Sequence, residues 1–295
     1  MHSTLQEIVA LRPVITDGAW GTQLQAKGLS QGACPDQLNL TKPEWVEQVA
    51  RSYIDAGSNI ILTNTFGANS IILEKYGLRE KTFDINRAGA SISKAAAAAK
   101  AFVFGSIGPS GKMLLMGEVT EDALKDAFSE QAAGLAEGGA DAIIVETMSD
   151  LEEAKIALAS AKATGLPVFV SMVFDSGKDK DRTLMGTTIE DAASVLEEAG
   201  ADGIGANCGS GIESYIPVAK RLRAATNLPV WIKPNAGLPE IIDGNIVYTI
   251  TPAAFASHAK TIIDAGVDFI GGCCGTAPDF IKSLVNIKHT GTYRN

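Results

Sequence analysis

Residues 264–274 read DAGVDFIGGCC, and three earlier stretches repeat the phrase: DAGSNIILTNT from Asp55, EGGADAIIVET from Glu137 and EAGADGIGANC from Glu198. In each copy an acidic residue and an Ala-Gly or Gly-Gly step mark the end of a helix, because glycine takes the left-handed conformation that closes a helix without a steric penalty. The short apolar run that follows is the pattern of a strand covered on both faces. A phrase repeated in this way is a repeated helix–turn–strand unit.

Working outward, Ala123–Glu137 and Thr188–Ala199 space their apolar residues helically. Four further strand-like runs lie at Val14–Asp17, Ala101–Ser106, Pro167–Val173 and Pro229–Asn235. Eight strands, with helix-like sequence after nearly all of them and no pair joined by a tight hairpin, predict a parallel sheet. An open doubly wound sheet is the competing architecture, and it usually carries a glycine-rich phosphate loop after its first strand. Here the first strand runs into DGAWGTQLQ, which is no such loop. The expected fold is a (β/α)8 TIM barrel, a single domain over residues 1–295, a length ordinary for that architecture.

The repeat also aligns chemistry. Seven residues beyond each repeated glycine stand Asn64, Glu146, Asn207 and Cys273, and one step further stand Thr65, Thr147, Cys208 and Cys274. Polar and metal-capable side chains therefore appear where apolar strands end, the catalytic edge of a barrel. The copies are strands two, four, six and eight, and alternate strands supply the same interior layer, so Cys208, Cys273 and Cys274 are expected to converge. Three thiolates without a neighbouring histidine suit soft, tetrahedral Zn2+ and leave one position open, the mark of a catalytic site. The fourth cysteine, Cys34 in GACPDQLNL, reads as an inert buried thiol. The three histidines, His2, His258 and His289, fall at no predicted strand end and read as surface residues.

Composition excludes several classes. A net charge of −9 without a dense Lys/Arg cluster offers no nucleic-acid footprint. Four cysteines, two of them adjacent, are too few for a secreted disulfide scaffold. The opening MHSTLQEIVALRPVITDG lacks the features of a signal peptide, and the longer apolar runs are broken before membrane-spanning length, so a cytoplasmic protein with no membrane partner is expected.

The motifs DGAWGTQLQ from Asp17, TNTFGAN from Thr63, GSIGPSG from Gly105, VETM from Val145, GANCG from Gly205, KPNAG from Lys233 and GGCCGT from Gly271 span almost the whole chain. Together they resemble the homocysteine S-methyltransferase family. The resemblance implies that Cys208, Cys273 and Cys274 hold zinc and that L-homocysteine binds through its sulfur and is methylated to methionine. It places Asp17 and Glu146 at the substrate's ammonium group and backbone N–H groups near Gly18 and Ala19 at its carboxylate. It also suggests that the Asn235 amide helps fill the fourth metal position when substrate is absent. Asn64, Thr65 and Ser106 are candidates for lining the pocket, with structural hydrogen bonding at strand ends the competing reading.

No module for folate, cobalamin or adenosylmethionine is expected within a chain taken up by the barrel. The motif wording is most similar to the homocysteine domain of cobalamin-dependent methionine synthase, which implies a methylcobalamin donor carried by a separate corrinoid protein. The S-methylmethionine-dependent branch is the alternative, although it commonly has Arg where this chain has Gly275. Betaine-dependent relatives carry an extended C-terminal region not found here. A different class, a non-catalytic amino-acid-binding barrel with structural zinc, fits the same ligand set.

Overall fold

A computed structural model of the protein describes residues 2–238, 240–242 and 245–290, with the backbone alone at 240–242, 245–247 and 289–290. The strands are β1 (Val14–Ile15), β2 (Ile60–Leu62), β3 (Phe102–Ile107), β4 (Ala142–Met148), β5 (Val168–Met172), β6 (Gly203–Gly211), β7 (Val230–Asn235), β8 (Glu240–Ile242), β9 (Asn245–Val247) and β10 (Phe269–Ile270). Eight of them form one sheet in the order β1-β10-β7-β6-β5-β4-β3-β2. Every pair in that sheet is parallel, and helices run between the strands. This is the expected TIM barrel.

Local sequence explains the alternation. Gly57, Gly139, Gly200 and Gly266 have φ of 98°, 90°, 90° and 94°, the left-handed helix-ending conformation read from the repeat. Thr120, Asp150, Thr188 and Thr251 each accept a backbone N–H at the start of the following helix, satisfying donors that a helix leaves unpaired.

The wall is nearly closed, and its seam lies between β1 and β2. Asn59 N–H donates to Ile15 O at 2.7 Å, and Ile15 N–H donates to Asn59 Oδ1 at 3.0 Å. Leu62 N–H donates to Asp17 Oδ2 at 2.7 Å. Side chains thus stand in for part of a strand ladder.

Residue parity divides the interior into layers. Phe104, Phe169, Trp231 and Phe269 fill the lower barrel, with ring centroids in contact between 5.1 and 5.9 Å apart. Leu5 and Ile8, on a helix over Ser3–Val9 that sequence reading did not anticipate, pack into the same cluster and plug its base. Gly205 admits the Trp231 backbone, since a β-carbon there would overlap the Trp231 carbonyl. Two residues beyond Phe104, Phe169 and Trp231 stand Ser106, Ser171 and Lys233, and Glu146 stands two beyond Ile144 of the same cluster, so the interior turns polar towards the C-terminal ends of the strands. Ile143, Val145, Val170, Ile204 and Ile232, of opposite parity, pack in the cluster shared with the helices.

One expectation is corrected. β8 and β9 pair antiparallel across residues 243–244, after β7, so the chain does contain a tight hairpin. The intervening Asp243-Gly244 is among the strongest short hairpin signals. The hairpin is an insertion in the connection after β7, and the barrel wall itself remains wholly parallel. Among the described residues, no helix is long and apolar enough to cross a membrane.

Candidate metal centre

Cys208 reaches the barrel mouth through an irregularity in β6. Its φ is 63°, and the register with β7 shifts between Asn207 and Gly211. Thr147, at the equivalent position of the repeat, also has φ of 63° and lies in a register shift of β4 against β5. A left-handed non-glycine residue at a bulge carries strain of about 1 kcal/mol or more and re-aims its side chain. Asn207 ties the two irregular strands together. Its Oδ1 accepts from Thr147 N at 2.9 Å and Ser171 Oγ at 2.6 Å, and its Nδ2 donates to Thr147 Oγ1 at 2.7 Å.

Cys273 and Cys274 lie on the turn after β10. Cys273 N–H donates to Pro234 O at 2.8 Å, and Cys274 N–H donates to Asn235 Oδ1 at 3.1 Å. Asn235 Nδ2 donates to Gly209 O at 3.3 Å, so this side chain staples one cysteine loop to the other. Tyr215 Oη donates to Cys208 O at 2.6 Å from below.

The three sulfurs lie within 4.8 Å of one another. In a tetrahedral site with Zn–S bonds of about 2.3 Å, sulfurs stand about 3.8 Å apart, so the cluster fits the ion without rearrangement of the strands. Their ionisation points the same way. Hydrogen bonds from Cys273 and Cys274 hold the Cys208 thiol far below its ordinary value, while the Cys273 and Cys274 thiols are pushed up, first by their hydrogen bonds to Cys208. A divalent cation is the group that would let all three sulfurs ionise together.

Below the thiols lies a buried charged floor. Lys233 Nζ is 2.6 Å from Asp17 Oδ1, with the two side chains 3% and 0% exposed. Asp17 Oδ2 accepts from Leu62 N at 2.7 Å and Trp20 Nε1 at 2.8 Å, so both oxygens are engaged. Glu146 Oε1 accepts from Ser106 Oγ at 2.6 Å, and Oε2 has no partner among the described residues. Burial raises the Glu146 carboxyl above its ordinary value against the opposing pull of Lys233. Burial alone would lower the Lys233 ammonium, but Asp17 and Glu146 outweigh it and the net shift is upward.

The remaining predicted residues divide. Ala19 N–H is engaged by Thr276 O and Oγ1, both at 3.2 Å, whereas Gly18 N–H has no partner among the described residues. Asn64 Nδ2 donates to Pro35 O at 2.8 Å and Asn39 Oδ1 at 3.0 Å, and Thr65 Oγ1 donates to Ser106 O at 2.7 Å. Asn64 and Thr65 therefore brace the wall and the 35–39 segment, the competing reading for them. His258 pairs with Glu213 at 3.1 Å and His2 is exposed, while the His289 side chain lies outside the described residues. Lys233 and Ser171 were missed. An isolated lysine two residues after an inward tryptophan, in the otherwise apolar run VWIKP, was the available signal for Lys233.

Cys34 is buried, and burial pushes its thiol up to about 11, as suits an inert cysteine. Its neighbour Asp36 is pushed up to about 6 by burial, while accepting Gly67 N–H at 3.1 Å. A carboxyl raised from 3.8 favours folding in its protonated form, so the wild-type protein loses stability as pH rises from 3.8 through about 6. Asp36→Asn keeps an acceptor for Gly67 and is expected to be more stable than wild type by about 3 kcal/mol at pH 8, converging with it near pH 4. Urea unfolding at both pH values checks this; equal stability at pH 8 would show that the carboxylate is well solvated.

A barrel whose catalytic face brings together three thiols above a buried charged pocket has the layout of an enzyme that activates a small molecule at a metal. Residues 14–287 match the homocysteine S-methyltransferase family, to which the chain belongs. It is similar to the methionine synthase of Mycobacterium leprae, 34% identical over 95% of this chain and 24% of that protein. The methionine synthase of Mycobacterium tuberculosis is 33% identical over 96% of this chain and 26% of that protein. The chain thus spans about a quarter of the length of these relatives. Its fold is similar to that of the homocysteine methyltransferase MmuM from Escherichia coli in its metallated form, with a TM-score of 0.81 at 22% identity, covering 97% of this chain and 100% of that one.

Proposed function

We propose that the protein methylates the thiol of L-homocysteine to give methionine, with residues 1–295 acting as one homocysteine-binding domain and Cys208, Cys273 and Cys274 holding Zn2+. The observation that carries this reading is the convergence of three sulfurs within 4.8 Å at the catalytic mouth. Zinc held by these three cysteines would supply the chemistry of lowering a substrate thiol's pKa so that it could act as a nucleophile towards an electrophilic methyl group near neutral pH.

The chain's own residues provide the rest. The free oxygen of Glu146, held in place by Ser106, receives the substrate ammonium group, and Gly18 N–H receives its carboxylate. Asp17 acts by holding Lys233, Leu62 N–H and Trp20 rather than by contact with the substrate, because its oxygens are already bonded. Asn235 fixes the two cysteine loops in register through both ends of its amide. The aromatic layer beneath closes the pocket to water.

A methylated corrinoid on a separate protein or module is the proposed methyl donor, supported by the similarity to two proteins named methionine synthase. The proposed location is the cytoplasm, whose reducing conditions keep the three thiols available. Zinc-loaded protein given L-homocysteine, with methylcobalamin and S-methylmethionine in parallel reactions, tests the proposal. Methionine formed with methylcobalamin alone is the expected result. Methionine formed with S-methylmethionine alone would replace the donor assignment, and none with either would overturn the reading.

A further inference from the structure

Lys233 is a buried cation for which neither the thiol cluster nor the head-group contacts above have a use. Its Nζ lies 2.6 Å from Asp17 Oδ1, and its carbon stem rises from β7 two residues beyond Trp231. Glu146, on β4, is the third charge of the same water-poor floor and acts on Lys233 electrostatically. Burying an ion pair is costly relative to packing apolar side chains of the same size, so stability is a weak reason for its presence.

Charge balance gives a stronger one. Lys233 cancels Asp17, and the floor then presents the single negative charge of Glu146 to a ligand. Without Lys233 two acids would face the pocket, drawing in any aminothiol with a lone positive charge and repelling a carboxylate. We propose that Lys233 determines specificity: by neutralising Asp17 it makes the pocket prefer a thiol bearing both an ammonium and a carboxylate over one bearing an ammonium alone. The inference rests on the reading of this barrel as a homocysteine site. Lys233 acts here through the field of the Asp17 pair, and bonding to the substrate is not required.

Calorimetric binding to zinc-loaded protein tests it without any methyl donor. The probes are L-homocysteine and 3-aminopropane-1-thiol, which has hydrogen in place of the carboxylate, and the proteins are wild type, Lys233→Met and the double variant Asp17→Asn/Lys233→Met. In Lys233→Met the preference for homocysteine is expected to fall about a hundredfold, the effect of a unit charge about 6 Å away at an effective dielectric of about 20. The double variant restores the net charge of the floor and is expected to recover the wild-type preference.

An unchanged preference in Lys233→Met would overturn the proposal. So would a lost preference in the double variant, which would mean that Lys233 bonds the carboxylate directly. If the single variant, with its buried unpaired Asp17, yields no folded protein, the double variant decides by the same criterion. Failure of both thiols to bind wild-type protein would instead overturn the homocysteine reading, and this inference with it.

Discussion

Cys208→Ser is expected to abolish methyl transfer while leaving the barrel folded. Serine keeps the size of the side chain but offers a hard hydroxyl that does not ionise near neutral pH, so the site loses one of three anionic donors to a soft metal. Zinc affinity should fall by well over about a hundredfold, the upper range lost when only an outer partner of a metal ligand is changed. The fold should survive because the bulge at residue 208 is held by main-chain and neighbouring groups. Asn207 is bonded to Thr147 and Ser171, and Tyr215 is bonded to the Cys208 carbonyl, and none of these uses the sulfur. Zinc competition with a chromophoric chelator, circular dichroism and a methionine assay measure the three quantities. Full activity in metal-free Cys208→Ser protein would sink the zinc mechanism.

Glu146→Gln is expected to weaken substrate use and strengthen the fold together. The carboxyl is buried and raised above its ordinary value of 4.5, so its charged form opposes folding at neutral pH. For a group whose folded-state pKa is raised, stability is greatest in acid and falls as pH climbs past the ordinary value. Glutamine keeps an acceptor for Ser106 and removes that penalty. The Tm of metal-free Glu146→Gln should therefore exceed that of wild type at pH 8, and the gap should close towards pH 4.5. Loss of a charged partner for the substrate ammonium should lower kcat/KM for homocysteine by about a hundredfold. The loss should appear mainly in KM, because the head group is remote from the reacting sulfur. An unaltered KM would remove Glu146 from the head-group site.

Much of this was legible in the sequence, for physical reasons. The four repeated glycines mark obligatory left-handed helix ends, and the strands β2, β4, β6 and β10 follow them as read. Counting from those glycines brought Glu146, Asn207 and Cys273 to the barrel mouth. It brought Asn64 to the end of β2 as well, but could not foresee the bonds of its amide to Pro35 and Asn39, a tertiary contact with no local signature. Cys208 was read as a candidate ligand, but its left-handed backbone was not foreseen, because nothing in its residue type demands that conformation. Asp17 was read as a contact for the substrate ammonium. Its partners Lys233, Leu62 and Trp20 come from three other places along the chain and meet it only in the closed barrel.

That closure has a consequence for anyone wishing to redirect the enzyme to other thiols. The carboxylate that pairs with Lys233 is also the one that accepts Leu62 N–H across the seam of the wall, so the proposed recognition and the closure of the wall share one side chain. Replacing Asp17 by a residue that lacks an acceptor removes the Leu62 bond across the seam, whereas Asn keeps an oxygen for it. Variant libraries should instead start on the other side, at Ser171, where β5 and β6 pair in unbroken register.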